Sequence, residues 1–243
     1  MIDLHCHILP GLDDGAENFE ESLAMAAIAA DHGIRHIVAT PHCTSAGAWE
    51  VIERVSMLQE LLQEEGIPVQ LHPGMEIFGT YETARLLRQK QLLTLNNSRY
   101  PLIEFSFHSD GEEETAILRS VIETGYTPVV AHPERYSYVC QEPRLINRWK
   151  KMGCLFQVNR GSLLGRYGHS AQQMGMALVH RGFATVVATD AHSPMVRTPR
   201  AKDAYELLAH SFSPVAADVL MHRNPEWILN DRRLPPVKPD WFE

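Results

Sequence analysis

An α/β barrel of about seven parallel strands is the fold class the sequence predicts, on three observations. Seven short β-type runs alternate with amphipathic stretches along the 243 residues. Five of the six amphipathic stretches close on a glycine, the residue that most readily takes the left-handed turn after a helix. The imidazoles and carboxylates gather at the C-terminal ends of the β-type runs. In a closed barrel those ends converge on one mouth, whereas an open sheet would spread them along its edge.

In order, the first run is MIDLH (1–5), continued by CHILPGLDDG. Asp3, His5 and His7 alternate with Ile2, Leu4, Cys6 and Ile8, so an extended strand would place the three polar residues on one face. ENFEESLAMAAIAADHG (17–33) has helical spacing and ends at Gly33. HIVAT (36–40) is the second run, with Pro41 and His42 after it, and WEVIERVSMLQELLQEEG (49–66) is the second helix. VQLHPG (69–74) leads to Glu76, ETARLLRQKQ (82–91) is helical, and LIEF (102–105) carries Glu104. EEETAILRSVIETG (112–125) precedes PVVAH (128–132), and PRLINRWKKMG (143–153) precedes CLFQV (154–158). SAQQMGMALVHRG (170–182) precedes ATVVAT (184–189), which runs into Asp190 and His192. From about residue 224 the chain is Pro-rich and predicts an irregular tail. No Gly/Ser-rich linker or low-complexity block divides it, so one domain over 1–243 is expected.

Composition narrows the partners. With 22 basic against 30 acidic residues the formal charge is −8, which argues against a nucleic acid, whose binding needs clustered Lys and Arg. No segment approaches the ~20 apolar residues of a membrane span, and no cationic stretch followed by an apolar run opens the chain. A cytoplasmic protein is expected. Cys6, Cys43, Cys140 and Cys154 are far apart, as reduced thiols are, and Cys6 and Cys154 sit in apolar runs as small core residues.

Nine residues at strand ends carry the chemistry: His5, His7, Asp14, His42, Glu76, Glu104, His132, Asp190 and His192. Each alone is ordinary, since a His beside Pro can cap a turn and an Asp can cap a helix. Together in one mouth, four carboxylates could not all stay ionised without cations. Divalent metals remove that penalty, and nine ligands are enough for two or three ions. Mixed nitrogen and oxygen ligation fits Mn²⁺, Fe²⁺ or Zn²⁺. Arg135 and Arg197 lie within a few residues of these positions, and a guanidinium fork suits phosphate oxygens.

DLHCH, the PH at 41–42, the GME at 74–76, HPER and TDAH resemble the motifs of the PHP (polymerase and histidinol phosphatase) superfamily. With LPGLDDGA, ATPH, HPERY, QVNRGSLLG and DAH at matching separations, the chain is similar to the manganese-dependent protein-tyrosine phosphatase branch of bacterial capsule and exopolysaccharide loci. The likeness runs from Met1 to about Arg200. It implies a distorted (β/α)7 TIM-like barrel, the PHP fold, with a trinuclear centre. By matching positions, one metal would take His5, His7, Glu76 and Asp190, a second Glu76, Glu104 and His132, and a third Asp14, His42 and His192. Mn²⁺ is the implied metal. Arg135 and Arg197 would be the phosphate-binding, catalytic arginines, and Asp3 a partner that orients a ligand histidine. Cys43 and Ser193 depart from the family pattern, which often has His and Asn there.

The implied activity is hydrolysis of phosphotyrosine by a metal-bridging hydroxide, acting on the Tyr-rich tail of a bacterial tyrosine kinase. The alternatives are a small-molecule phosphatase such as a histidinol-phosphate phosphatase, a PHP phosphoesterase acting on nucleic acid, and a non-catalytic scaffold that docks a kinase. CLFQVNR, Cys154 to Arg160, also satisfies the C-x5-R pattern of cysteine-dependent phosphatases. It lacks the glycines such a phosphate loop needs and predicts a strand.

Overall fold

The computed structural model describes residues 1–42 and 47–243; Cys43 lies outside them. All strand pairings are parallel. One sheet has the order β1 (Ile2–Cys6), β2 (His36–Ala39), β3 (Gln70–Pro73). The other runs β4 (Glu76–Phe78), β5 (Leu102–Glu104), β6 (Val129–Ala131), β7 (Leu155–Asn159), β8 (Val186–Ala188).

Among the described residues there are eight strands rather than seven, because the third expected run is longer than the sequence suggests and is broken. β2 pairs His36 with Gln70 and Ala39 with Pro73, and a single bridge from His42 to Glu76 keeps the same offset. The chain is interrupted at Gly74–Met75 and resumes as β4, where Glu76 also stands opposite Leu102 of β5. Glu76 is therefore the residue on which the two sheets meet. At the far edge, a second single bridge joins Cys6 to Ala191. There Asp190 N–H donates to His5 O (2.9 Å) and His7 N–H to Ala191 O (2.8 Å).

The helices are α1 (Phe19–Asp31), α2 (Ala48–Glu64), α3 (Thr83–Arg88), α4 (Glu112–Glu123), α5 (Ser137–Gln141) and α6 (Arg144–Met152). They continue with α7 (Arg160–Leu163), α8 (His169–His180), α9 (Lys202–Ser211), α10 (Pro214–Asp218) and α11 (Asn224–Leu229). Helix α1 starts where Asn18 accepts from Glu21 N–H, and its buried Ser22, Met25, Ala26 and Ala29 form one face. The irregular tail expected from about 224 begins later. Pro225 sits in the first turn of α11, directly after the π-helical turn Val219–Arg223, and Ile228 and Leu229 are buried. Beyond them the tail returns to the body, with Phe242 stacked on Phe183 at 5.2 Å. No helix among the described residues is long and apolar enough to cross a membrane.

Two apolar clusters divide the strand residues by parity. Ile2, Leu4, Val38, Leu102, Val129, Ala131 and Val186 share one cluster with Ile228 and Leu229. Ile37, Ala39, Ile103, Val130 and Val187 belong to the other, with the buried faces of the helices. Strand β1 does not alternate through its whole length. Asp3 pairs with Ile37 and Cys6 with Ala39, so Leu4 and His5 together stand opposite Val38 alone. This bulge resets the alternation. Asp3 lies on the helix-facing side with Ile37, and the single face expected for Asp3, His5 and His7 is corrected: only the two histidines share it.

Candidate metal centre

The nine predicted residues stand near or beyond strand C-termini, Glu76 just past β3 where it opens β4, and the structure brings them together in four overlapping groups. His7, Asp14, His42 and His192 form one, His5, His7 and Asp190 a second, His5, Glu76 and His132 a third, and His42, Glu76 and Glu104 a fourth. Within each, the candidate ligand atoms lie within 4.8 Å of one another. Glu76 is central: its carboxylate is 3.1 Å from His5 Nε2, 3.2 Å from His7 Nε2, 3.2 Å from His42 Nδ1 and 2.7 Å from His132 Nε2. By these distances His132 groups with His5, and Glu104, 2.8 Å from His42, groups with that residue, both through Glu76.

Three histidines are held in one tautomer. His5 Nδ1–H donates to Gln157 Oε1 (3.0 Å), His7 Nδ1–H to Asp13 Oδ2 (2.7 Å) and His192 Nδ1–H to the Asp190 carbonyl (3.1 Å). Each Nε2 is left to present a lone pair to the site. His5 Nε2 and His7 Nε2 face each other at 3.1 Å, and the buried Nε2 of His192 has no hydrogen-bond partner among the described residues. Facing lone pairs repel unless a cation or a proton stands between them, so the donor set fits divalent metal.

Electrostatics agrees. Burial would raise the Glu76 carboxyl, but His5 and the hydrogen bonds from His132, His5 and His7 hold it well below the usual range. Burial opposes a proton on His7, yet its contacts with Asp13 and Glu76 raise it to about 10. Burial, and then His7, push His192 down to about 3. This cluster of carboxylates draws positive charge into the mouth, which metal ions would supply in place of protons.

Two backbone positions mark the same place. His132 has φ 32° and Asp190 φ 51°, the left-handed region that costs a residue with a side chain about 1 kcal/mol or more. Gly15 is required by close approach, because a Cβ there would lie 2.2 Å from His7 O. The loop that carries Asp13 and Asp14 thus rests directly on the end of β1.

Asp3, expected to orient a ligand histidine, contacts no imidazole ring. It accepts from the Thr189 N–H (3.0 Å), the Thr189 hydroxyl and, at 3.4 Å, the His5 N–H. The bulge explains this correction, since it places Asp3 across the sheet from the rings, where it ties β1 to the chain after β8. The ring-holding role falls instead to residues outside the predicted set. Gln157 Oε1 takes hydrogen bonds from His5 Nδ1–H and the His132 N–H (3.2 Å), while its Nε2 donates to Asn159 Oδ1 (2.7 Å). Asn159 Nδ2 in turn donates to Asp190 Oδ2 at 2.5 Å. Asp13 holds His7 and also accepts from the His42 N–H (2.8 Å) and the Gly15 N–H (2.9 Å). These hydrogen bonds hold its carboxyl down to about 2 against the raising effect of burial. Removing such a partner typically weakens metal affinity about 10- to 100-fold. Asp13→Ala and Gln157→Leu are each expected to do so in competition titrations with a metal indicator; unchanged affinity would show that the rings need no such support.

Arg135 Nη1 lies 3.3 Å and Arg197 Nη2 2.5 Å from Asp190 Oδ2. Ser193, one of the two departures, closes the turn before Arg197: its hydroxyl accepts from the Met195 N–H (3.3 Å) and Val196 N–H (3.0 Å). The C-x5-R segment is not a phosphate loop. Cys154 is fully buried, and burial pushes its thiol up to about 12. Arg160 is committed to Asp203 through two hydrogen bonds of 2.6 and 2.5 Å.

The sequence profile of the family described as "Capsular polysaccharide synthesis, CpsB/CapC" matches residues 1–230. Tyrosine-protein phosphatase YwqE of Bacillus subtilis (strain 168) is 35% identical over 239 residues, 96% of this chain and 93% of that protein. Tyrosine-protein phosphatase CpsB of Streptococcus pneumoniae is 31% identical over 242 residues, 96% of this chain and 99% of that one. The fold superposes with a TM-score of 0.95 at 34% identity, over the whole of both chains, on a crystal structure from work on YwqE and CpsB, described as unique metal-dependent tyrosine phosphatases. A dihydropyrimidinase from Brevibacillus agri NCHU1002, 9% identical with a TM-score of 0.60 over 95% of this chain and 70% of that one, shares the fold alone.

Proposed function

The chain belongs to the CpsB/CapC family of capsular polysaccharide synthesis, and from that premise we propose that it is a metal-dependent protein-tyrosine phosphatase. Nine imidazoles and carboxylates with Glu76 at their centre, flanked by two arginines on Asp190, carry this proposal. We assign all nine as ligands of two or three divalent ions, Mn²⁺ first, with Glu76 shared between groups. We further take residues 1–243 to act as one domain, with the two sheets forming one distorted (β/α)7 barrel. The His42–Glu76 and Cys6–Ala191 bridges support that closure. The proposed substrate is the phosphotyrosine-bearing tail of a bacterial tyrosine kinase, in the cytoplasm.

Divalent ions bound here would lower the pKa of water and polarise phosphoryl oxygens. The chain's own residues do the rest. Gln157 and Asp13 hold the rings of His5 and His7 at Nδ1 so that Nε2 faces the ligand cluster. Arg135 and Arg197, which share Asp190 in this structure, have the fork geometry to take phosphoryl oxygens and to stabilise their charge. Water oxygen bonds to phosphorus as the aryl-oxygen–phosphorus bond breaks, and the departing tyrosinate takes a proton, giving tyrosine and inorganic phosphate. Tyrosine, with a pKa of about 10, leaves with less acid assistance than a serine alkoxide.

The test is hydrolysis of para-nitrophenyl phosphate and a phosphotyrosine peptide by metal-stripped protein, with Mn²⁺, Zn²⁺, Fe²⁺ or Mg²⁺ restored one at a time. Peptide turnover that returns with metal and survives Cys154→Ser is expected. Failure of every metal to restore turnover would overturn the proposal.

A further inference from the structure

Arg135 is held between two aromatic rings. Its guanidinium carbon lies 4.6 Å from the Phe107 ring centroid and 4.4 Å from that of Tyr167. Phe107 comes from the loop after β5 and Tyr167 from the segment between α7 and α8, so two distant parts of the chain build the stack. The ring of Phe107 also packs 6.1 Å from that of His132, yet the residue is 39% exposed. The place of Tyr167 is built into the fold: a Cβ on Gly161 would lie 2.6 Å from Tyr167 Cε2, so the ring rests against bare backbone. Beside the stack opens a cleft of about 270 Å³, lined by Phe107, Arg135, Tyr167 and Ala171.

We infer that this cleft receives the aryl group of the substrate, and that Phe107 and Tyr167 determine the preference for aryl over alkyl phosphates; the inference rests on the phosphatase proposal above and deepens it. The stack fixes the plane of the guanidinium, whose Nη1 points at Asp190 and the ligand groups. A phosphoryl group taken by that fork carries its ester substituent toward the adjoining cleft. A flat ring there meets aromatic walls and the edge of a cation, each of which favours a π-system. An alkyl chain meets the same walls without those terms.

The experiment compares metal-loaded wild type, Phe107→Ala, Tyr167→Leu and Tyr167→Phe. Calorimetry would give Kd for a peptide with phosphonomethyl-phenylalanine, a non-hydrolysable aryl ligand, and for its alkyl phosphonate counterpart. Turnover of phosphotyrosine and phosphoserine peptides of one sequence would be measured alongside. Phe107→Ala and Tyr167→Leu are each expected to weaken the aryl ligand about tenfold and the alkyl ligand by no more than about twofold. Tyr167→Phe, which keeps the ring, should recover most of the preference. Unchanged aryl affinity would overturn the inference. Equal loss for both ligands would overturn it too, because the rings would then act only by holding Arg135. A wild type that binds the aryl ligand in a ring-dependent way but hydrolyses no phosphotyrosine peptide would uphold the cleft and remove the phosphatase proposal.

Discussion

Replacing Glu76 with alanine is expected to lower kcat/KM on a phosphotyrosine peptide at least about a thousandfold, with loss of most bound metal. The carboxylate is fully buried and lies within 3.2 Å of nitrogens from four histidines, His5, His7, His42 and His132. It is also where the strands change partners, paired with His42 on one side and Leu102 on the other. Its loss removes the one charge shared by two of the ligand groups. Glu104 is the internal comparison, because among the described residues His42 is the one histidine it pairs with, and it is 14% exposed. Glu104→Ala removes a ligand from one group only and should therefore cost less, on the order of a hundredfold. Glu76→Gln keeps the shape but not the charge and should resemble Glu76→Ala. Metal content by mass spectrometry, read beside activity, decides the matter. A Glu76→Ala protein with full metal, or a Glu104→Ala protein as impaired, would show that no residue is the hub.

What the sequence made legible was the part written locally. Each of the nine residues follows a short apolar run, and a parallel α/β arrangement places all such positions on one side of the sheets, so their gathering could be anticipated. Asp13 was passed over beside Asp14, although LDDG offers both. Only the fold shows Asp13 turned inward to His7 and Asp14 outward to His42 and His192. Gln157 and Asn159 alternate in β7 and so share a face, a signal that could have flagged them, but neutral amides carry no chemistry until their partners on other strands are known. The bulge in β1 left no mark in the alternation of MIDLHCHI, because an extra residue in a strand is defined by what stands opposite. Asp3 was misplaced for that reason. Phe107 and Tyr167 come together around Arg135 only through tertiary packing.

Arg197→Lys is expected to lower kcat/KM on a phosphotyrosine peptide about a hundredfold, and Arg135→Lys at least as much. Both guanidinium groups converge on the same Asp190 oxygen, at 2.5 and 3.3 Å. An anion held between two forks has the geometry a phosphoryl group requires, and the buried Nε of Arg197 has no hydrogen-bond partner among the described residues. Lysine supplies charge at one point and cannot span two oxygens. At position 135 it also loses the flat surface that lies between Phe107 and Tyr167. Because the two arginines act on one group, the double substitution should cost less than the product of the single losses. Metal content should stay unchanged in all three variants while the Kd of inorganic phosphate rises about tenfold or more. Loss of metal in Arg197→Lys would assign that arginine to holding Asp190 in place. Phosphate affinity equal to wild type in both single variants would remove the arginines from phosphate recognition and leave the ligand cluster alone to account for it.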